Sequence, residues 1–140
     1  MSQYQPSDHL EDLPKAECLR LLEDGSLGRI GAVVRGHPVI FPVNYVAFDG
    51  AIVFCTRRGG ELETAASNTT VAFEIDGVDN IYHEGWSVLA IGRCIHVTDP
   101  VELDQIQDSR LSSWAGRGRD LLVRISMDEI SGRRIRHHTP

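Results

Sequence analysis

At 140 residues the chain has the length of one domain, and its 41% hydrophobic and 24% charged residues exclude a disordered or fibrous protein. Twenty acidic against fourteen basic residues leave a net charge of −6, which argues against binding to nucleic acid or an anionic membrane through bulk charge. The longest apolar run, Ala51–Cys55, is far below the ~20 residues of a bilayer span. The first twelve residues carry Asp8, Glu11 and Asp12 rather than the basic and apolar blocks of a signal peptide, so a cytoplasmic location is expected.

Residues 1–12 are polar and aperiodic, and read as a flexible lead-in. Pro14 suits the first turn of a short helix in which Cys18, Leu21 and Leu22 recur at helical spacing and Gly25 offers a stop. The pattern then changes to strands over Leu27–Val34, Pro38–Phe48 and Ala51–Thr56, separated by Arg35-Gly36 and Asp49-Gly50. Asp-Gly between two β-rich runs marks a hairpin, because both turn residues must tolerate positive φ. A helix over Glu61–Ser67 follows the Gly59-Gly60 pair, and Thr70–Asp76 alternates as a fourth strand. Asp76, Asp79, His83 and Glu84 belong to a polar loop before a long strand, Trp86–Thr98, which Gly92 interrupts where a barrel corner would need a glycine. Asp99 and Pro100 open a helix through Leu103 and Ile106. Leu121–Ser126 and Ile130–Ile135 complete the strands, and 137–140 form a tail. Many short strands with few helices favour a closed antiparallel barrel, here residues 13–136.

The chemistry-bearing residues are few. Lys15, the only lysine, stands at a helix start, a poor place for a Schiff-base amine. Cys18, Cys55 and Cys94 form no C-x-x-C pair, so structural zinc has no support and buried thiols in a reducing compartment are expected. Cys94 and His96 share a strand face but lack further ligands nearby in sequence. No G-x-S-x-G, H-E-x-x-H or G-x-x-x-x-G-K motif is present. Glu74, Asp76, Asp79 and Glu84 read as solvated acids, since raising a carboxylate pKa needs apolar burial. Thr56-Arg57-Arg58-Gly59-Gly60-Glu61-Leu62 is more informative. It joins a strand to a helix and offers a hydroxyl, two guanidinium groups, two close-approach glycine amides and a helix start, the parts of a phosphate cradle. A polar turn with two solvated arginines fits the same residues equally well.

Four segments in order carry a resemblance. Gly36–Tyr45, then Asp49-Gly50 with Ile52–Thr56 and the Gly-Gly-Glu-Leu step, then Gly85–Leu89 with Gly92-Arg93, then Trp114 and Arg124-Ile125 with Ile130–Arg133 resemble the pyridoxamine 5'-phosphate oxidase-like flavin-binding split-barrel family. The likeness runs from about Leu13 to Ile135. It implies a mainly β, six-stranded antiparallel Greek-key split barrel and a homodimer with FMN in a cleft between subunits. Val39, Ile40 and Asn44 would line the flavin ring, the first two chiefly through backbone. Thr56, Arg57, Arg58 and Gly60 would meet the phosphate. Trp86 and Ser87 would border the ring, and Trp114 would come from the partner. Glu61 stands where relatives commonly carry lysine, and His37 where many carry arginine. An acid at a phosphate site is repulsive, which leaves room for the deazaflavin coenzyme F-420.

The implied activity is a flavin-dependent oxidoreductase acting on a small molecule, with hydride passing through the flavin N5. A bound cofactor explains why no triad stands out, because it would carry the chemistry. The alternative is a non-catalytic flavin-, deazaflavin- or haem-binding module. A nucleic-acid-binding barrel, suggested by Arg133, Arg134 and Arg136, conflicts with the net charge.

Overall fold

The computed structural model describes residues 10–79, 81, 84–107 and 120–136. In chain order they form β1 (Leu10–Asp12), α1 (Lys15–Asp24), β2 (Leu27–Val34), β3 (His37–Phe48), β4 (Ala51–Arg57), α2 (Glu61–Ala65) and β5 (Thr69–Asp79), followed by β6 (Glu84–His96), α3 (Pro100–Gln107), β7 (Asp120–Ser126) and β8 (Glu129–Ile135). Among them no helix is long and apolar enough to cross a membrane.

Both hairpin turns follow from residue chemistry. Arg35 and Gly36 have φ of 52° and 79°, and Asp49 and Gly50 have φ of 50° and 73°. Two consecutive positive φ values define the turn whose twist matches the flanking strands. β2, β3 and β4 therefore form a meander, and β5 returns to pair with β2, the 4-1-2-3 order of a Greek key. All pairings are antiparallel. The ring β6-β5-β2-β3-β4-β7 closes through β6–β7, making a six-stranded barrel, while β8 and then β1 extend it outside β6.

Closure depends on Gly92. Residues 85–91 of β6 pair with β8, whereas 94–96 pair with β7, so the strand changes partner at the glycine. A Cβ on Gly92 would lie 1.5 Å from the carbonyl oxygen of Ser126. The expected barrel corner is real, and its cause is close backbone approach.

Inside the barrel, Ile30, Tyr45, Ile52, Phe54, Phe73, Val88, Val123 and Ile125 are fully buried or nearly so. Tyr45 meets Phe73 edge-on at 4.8 Å and donates its hydroxyl to the Leu22 carbonyl at 2.7 Å, tying α1 to the barrel. Gly25 ends α1 with an ordinary φ of −79°; a Cβ there would strike the Tyr45 hydroxyl at 2.2 Å. A second, smaller core lies outside the barrel, where Ile106 and Leu103 of α3 cover Val46 and Val53.

Three expectations change. Leu10–Asp12 is not lead-in but a strand registered on Arg133–Ile135, with Arg136 donating to Glu11 at 2.6 Å. α2 ends at Ala65 rather than Ser67. The acids placed in a loop largely belong to strands, since β5 reaches Asp79 and β6 begins at Glu84. Glu74 and Asp76 share Arg29 on the outer face at 3.4 and 3.1 Å. Partial burial, then the neighbouring Asp76, push the Glu74 carboxyl up, against the opposing pull of Arg29.

Candidate functional site

The barrel splits between β3 and β4. Their ladder runs from Phe48↔Ala51 to Tyr45↔Phe54 and stops. Beyond it, residues 37–44 of β3 pair only with β2, while Cys55–Arg57 of β4 pair with β7. A cleft of about 410 Å³ opens between the separated halves, bounded by Phe41, Asn44, Thr56, Arg57, Glu61 and Leu62 among others.

One wall of the cleft is a strand edge of defined polarity. The Tyr45 amide donates toward β2, to the Ser26 carbonyl at 3.0 Å. Backbone direction alternates along a strand, so odd positions of β3 face β2 and even positions face the cleft. Pro38 and Pro42 occupy two of those even positions and have no N–H to give. The edge therefore keeps just two donors, the amides of Ile40 and Asn44, separated by roughly 13 Å at strand rise. The carbonyls of Pro38, Ile40 and Pro42 face the same side, while that of Asn44 takes the Cys55 N–H that the Tyr45↔Phe54 pair requires. Among the described residues β3 has no ladder partner on this side beyond the Tyr45↔Phe54 pair.

The other end of the cleft holds the Thr56–Leu62 loop. Thr56 is buried at 5% exposure, while Arg57 and Arg58 are exposed. Neither arginine side chain has a hydrogen bond or ion pair among the described residues. The two glycine amides expected to cradle a phosphate are already committed. Gly59 N–H donates to the Glu63 carboxylate, and Gly60 N–H donates to the Arg57 carbonyl at 3.1 Å. α2 is a five-residue helix with Glu61 and Glu63 in its first turn. An anion here would depend on the two guanidinium groups and the Thr56 hydroxyl, with Gly60 contributing shape rather than a donor.

The remaining candidates fall in different places. Val39 is half-buried on the inward row with Phe41. Ile40 points outward, is 72% exposed and borders a different pocket, with Arg29, Gly31 and Glu74 on the outer face. Asn44 is exposed at the mouth. Trp86 and Ser87 lie on β6, separated from β3 by β5 and β2. The Trp86 indole covers Gly77, where a Cβ would lie 2.5 Å from Nε1, and borders a separate cavity with Arg134. One chain thus does not bring Trp86 or Ser87 to the Thr56–Arg57 cleft. Trp114 lies outside the described residues. Cys94 is buried in the barrel, where desolvation pushes its thiol up to about 12. The described residues contain no group of three or more metal-ligating side chains.

The sequence reading missed the capture of Gly59 by Glu63. The four-residue spacing between them was the available signal. It also missed exposed apolar residues on the outer face of β2 and β3, where Val33 is 69% exposed near Ile40 and Leu27, 58% exposed, lies beyond Arg29.

A model of the pyridoxamine 5'-phosphate oxidase family matches residues 14–134. A solved FAD-binding protein from Mycobacterium smegmatis is 35% identical, with a TM-score of 0.77 over 89% of this chain and 97% of its own. The Corynebacterium diphtheriae protein DIP1874 is 29% identical at a TM-score of 0.77, covering 94% of this chain and 99% of its own. The Mycobacterium tuberculosis protein Rv0080 is 29% identical over 136 residues, covering 94% of this chain and 89% of its own.

Proposed function

The chain belongs to the pyridoxamine 5'-phosphate oxidase family, and on that premise we propose that its split-barrel cleft binds a flavin through a phosphate, as FMN does, for redox work on a small molecule. The observation that carries this reading is the β3 edge. Along it Pro42 and Asn44 border the cleft, where Pro42 presents a carbonyl with no N–H of its own and Asn44 an exposed side-chain amide. A planar heterocycle with alternating acceptors and donors along one side fits such an edge. At the other end, Arg57 and Arg58 have no side-chain partner among the described residues and can meet a phosphate. Charge-assisted contacts to guanidinium groups are the strong ones. When bound, a flavin supplies hydride transfer through N5; the residues of the cleft bind it, orient it and exclude water.

The same reading takes the protein as a homodimer. Val33 and Ile40 are exposed next to Gly31 and Ala72, and exposed apolar residues of this kind favour an interface. A second copy covering them would also let Trp86 and Ser87 act from the partner. Cys18, Cys55 and Cys94, none of them in a disulfide, suit a reducing cytoplasm.

The test is an absorption spectrum of the purified protein, with cofactor extraction and mass measurement. A flavin band, or flavin taken up on addition, is expected; a colourless protein that binds no added flavin refutes the reading. Reduction by a nicotinamide donor and reoxidation by an acceptor then separate an enzyme from a non-catalytic flavin carrier.

A further inference from the structure

Odd residues of β2 and even residues of β3 and β5 point away from the core and, with odd residues of β6, make one outer face. Pro38, Ile40, Val33, Gly31 and Ala72 leave much of it apolar and low in relief. Its centre is charged. Arg29 of β2 is registered on Glu74 of β5, and its Nη1 lies 3.4 Å from Glu74 Oε1 and 3.1 Å from Asp76 Oδ2. Two carboxylates therefore share one guanidinium, and a negative charge is left over when both are ionised. A cavity of about 320 Å³ joins these three side chains to Gly31, Ile40 and Ala72.

The strands around the cluster do not neutralise it. β6 sets Leu89 against Glu74 and Ser87 against Asp76, and Leu27 and Gly31 flank Arg29 on β2. The next charge in register is Arg133 of β8, beyond Ser87 and opposite Asp12. His37 belongs to the odd row of β3 with Val39, not to this face. Among the described residues no second cation contacts either acid. Water solvates the surplus charge in the single chain, where the Glu74, Asp76 and Arg29 side chains are 36%, 38% and 50% exposed.

A second copy on this face would remove that water. Five strands at ~4.8 Å spacing by seven residues at ~3.3 Å give on the order of 550 Å² before side-chain relief, near the ~800 Å² per partner of a standard interface. Twofold pairing sets the same patch on both sides, so two surplus charges would be buried together. A buried charge without a partner is costly, and a carboxylate escapes by taking a proton. Protonated Glu74 can also donate to Asp76. Partial burial, then hydrogen bonding to Asp76, already push the Glu74 carboxyl up in the single chain, and further desolvation acts in the same direction.

We propose that association of two copies through this face takes up a proton at Glu74 in each, so that the dimer tightens as pH falls. The proposal rests on the homodimer of the reading above and adds its regulation. Because the Glu74 pKa is higher in the dimer than in the single chain, the stabilisation is complete below the single-chain value and is lost as pH rises through the dimer value. Two such protons change the dissociation constant by up to about 100-fold per pH unit within that window. Since the partner supplies Trp86 and Ser87 in that reading, flavin retention follows the same protons.

Fluorescence-detected sedimentation measures the dimer dissociation constant from pH 5.0 to 7.5 for native protein, Glu74→Gln and Asp76→Asn, with thermal unfolding at each pH to confirm that every protein is folded. The native constant should rise at least about tenfold across the range. Glu74→Gln, neutral and able to donate to Asp76, should dimerise at pH 7.5 about as tightly as native protein at pH 5.0, with little dependence on pH. Asp76→Asn leaves one carboxylate to one guanidinium and should flatten the dependence as well. Histidine titration elsewhere would appear equally in all three proteins. A native constant that is unchanged across the range, that falls toward pH 7.5, or whose slope survives both substitutions overturns the proton linkage and leaves the dimer in place. A native protein that is monomeric throughout overturns the dimer itself.

Discussion

Replacing Gly92 by alanine should open the barrel at its closing seam. The new methyl would lie 1.5 Å from the Ser126 carbonyl oxygen, 2.6 Å from its carbon and 2.9 Å from its Oγ. The first two are backbone atoms that no rotamer change can move aside, so β6 and β7 must part by roughly 2 Å to reach van der Waals contact. Three residue pairs hold that seam, Cys94↔Ile125, Ile95↔Arg124 and His96↔Val123. Two further bonds adjoin it, from the Arg93 amide to Ser126 Oγ at 3.0 Å and from Val97 to Leu122 at 2.9 Å. Losing about two such bonds at ~0.5–1.5 kcal/mol each, with ~1–3 kcal/mol of overpacking, gives a loss of about 2–6 kcal/mol. In a chain of this length that lowers Tm by roughly 5–25 °C. Gly31→Ala is the matched control: its methyl would meet only Ala72 Cβ at an ordinary 3.7 Å, so a change under about 1 kcal/mol is expected. Urea and thermal unfolding followed by circular dichroism measure both. Since β7 also pairs with Cys55–Arg57 of β4, Gly92→Ala should weaken flavin binding as well. A Gly92→Ala protein within ~0.5 kcal/mol of native stability would refute the close-approach argument.

Other outcomes follow from the cleft and the surface. FMN should bind roughly 10–150-fold more tightly than riboflavin if one charge-assisted contact at ~1.5–3 kcal/mol distinguishes them, and Arg57→Ala or Arg58→Ala should erase most of that preference; equal native affinities would show that the loop binds no phosphate. Light scattering should return a dimer of about 31 kDa, twice the chain's 15.5 kDa, and Ile40→Glu on the apolar face should shift it toward monomer; a native monomer at micromolar concentration contradicts the shared cleft. Trp86→Ala should destabilise the fold by uncovering Gly77, and should weaken flavin binding further only if the partner's indole borders the ring, which separate unfolding and binding titrations resolve. Desolvation raises the Cys94 thiol to about 12, so its thiolate fraction at pH 8 is on the order of one in ten thousand, and it should resist a disulfide reagent in native buffer while the less buried Cys55 reacts first; fast labelling of Cys94, read by peptide mass, would contradict its burial.

Local chemistry made much of the fold legible before any coordinates. Alternation in Leu27–Val34 and Thr70–Asp76, positive-φ residues at Arg35-Gly36 and Asp49-Gly50, and Pro100 after Asp99 each act over a few residues, and each element stands within one to three residues of its expected place. Even Gly92 was readable as a corner, because a glycine inside a β-rich run signals close approach. The site was legible as composition: Thr56, Arg57, Arg58 and Glu61 do border or adjoin a cleft. Its wiring was not. That Glu63 and the Arg57 carbonyl take the Gly59 and Gly60 amides depends on how one loop turns back on itself. The even residues of β3 face the cleft because β2 takes the odd ones and β4 leaves after Phe54, a pairing between segments whose sequences do not encode each other. Leu10–Asp12 looked like lead-in because three exposed residues carry no periodicity; the free edge of β8, distant in sequence, makes them a strand. Turn type and strand periodicity are set by sterics within a few bonds. Which edge remains unpaired, and which donors it keeps, is set only when the barrel closes.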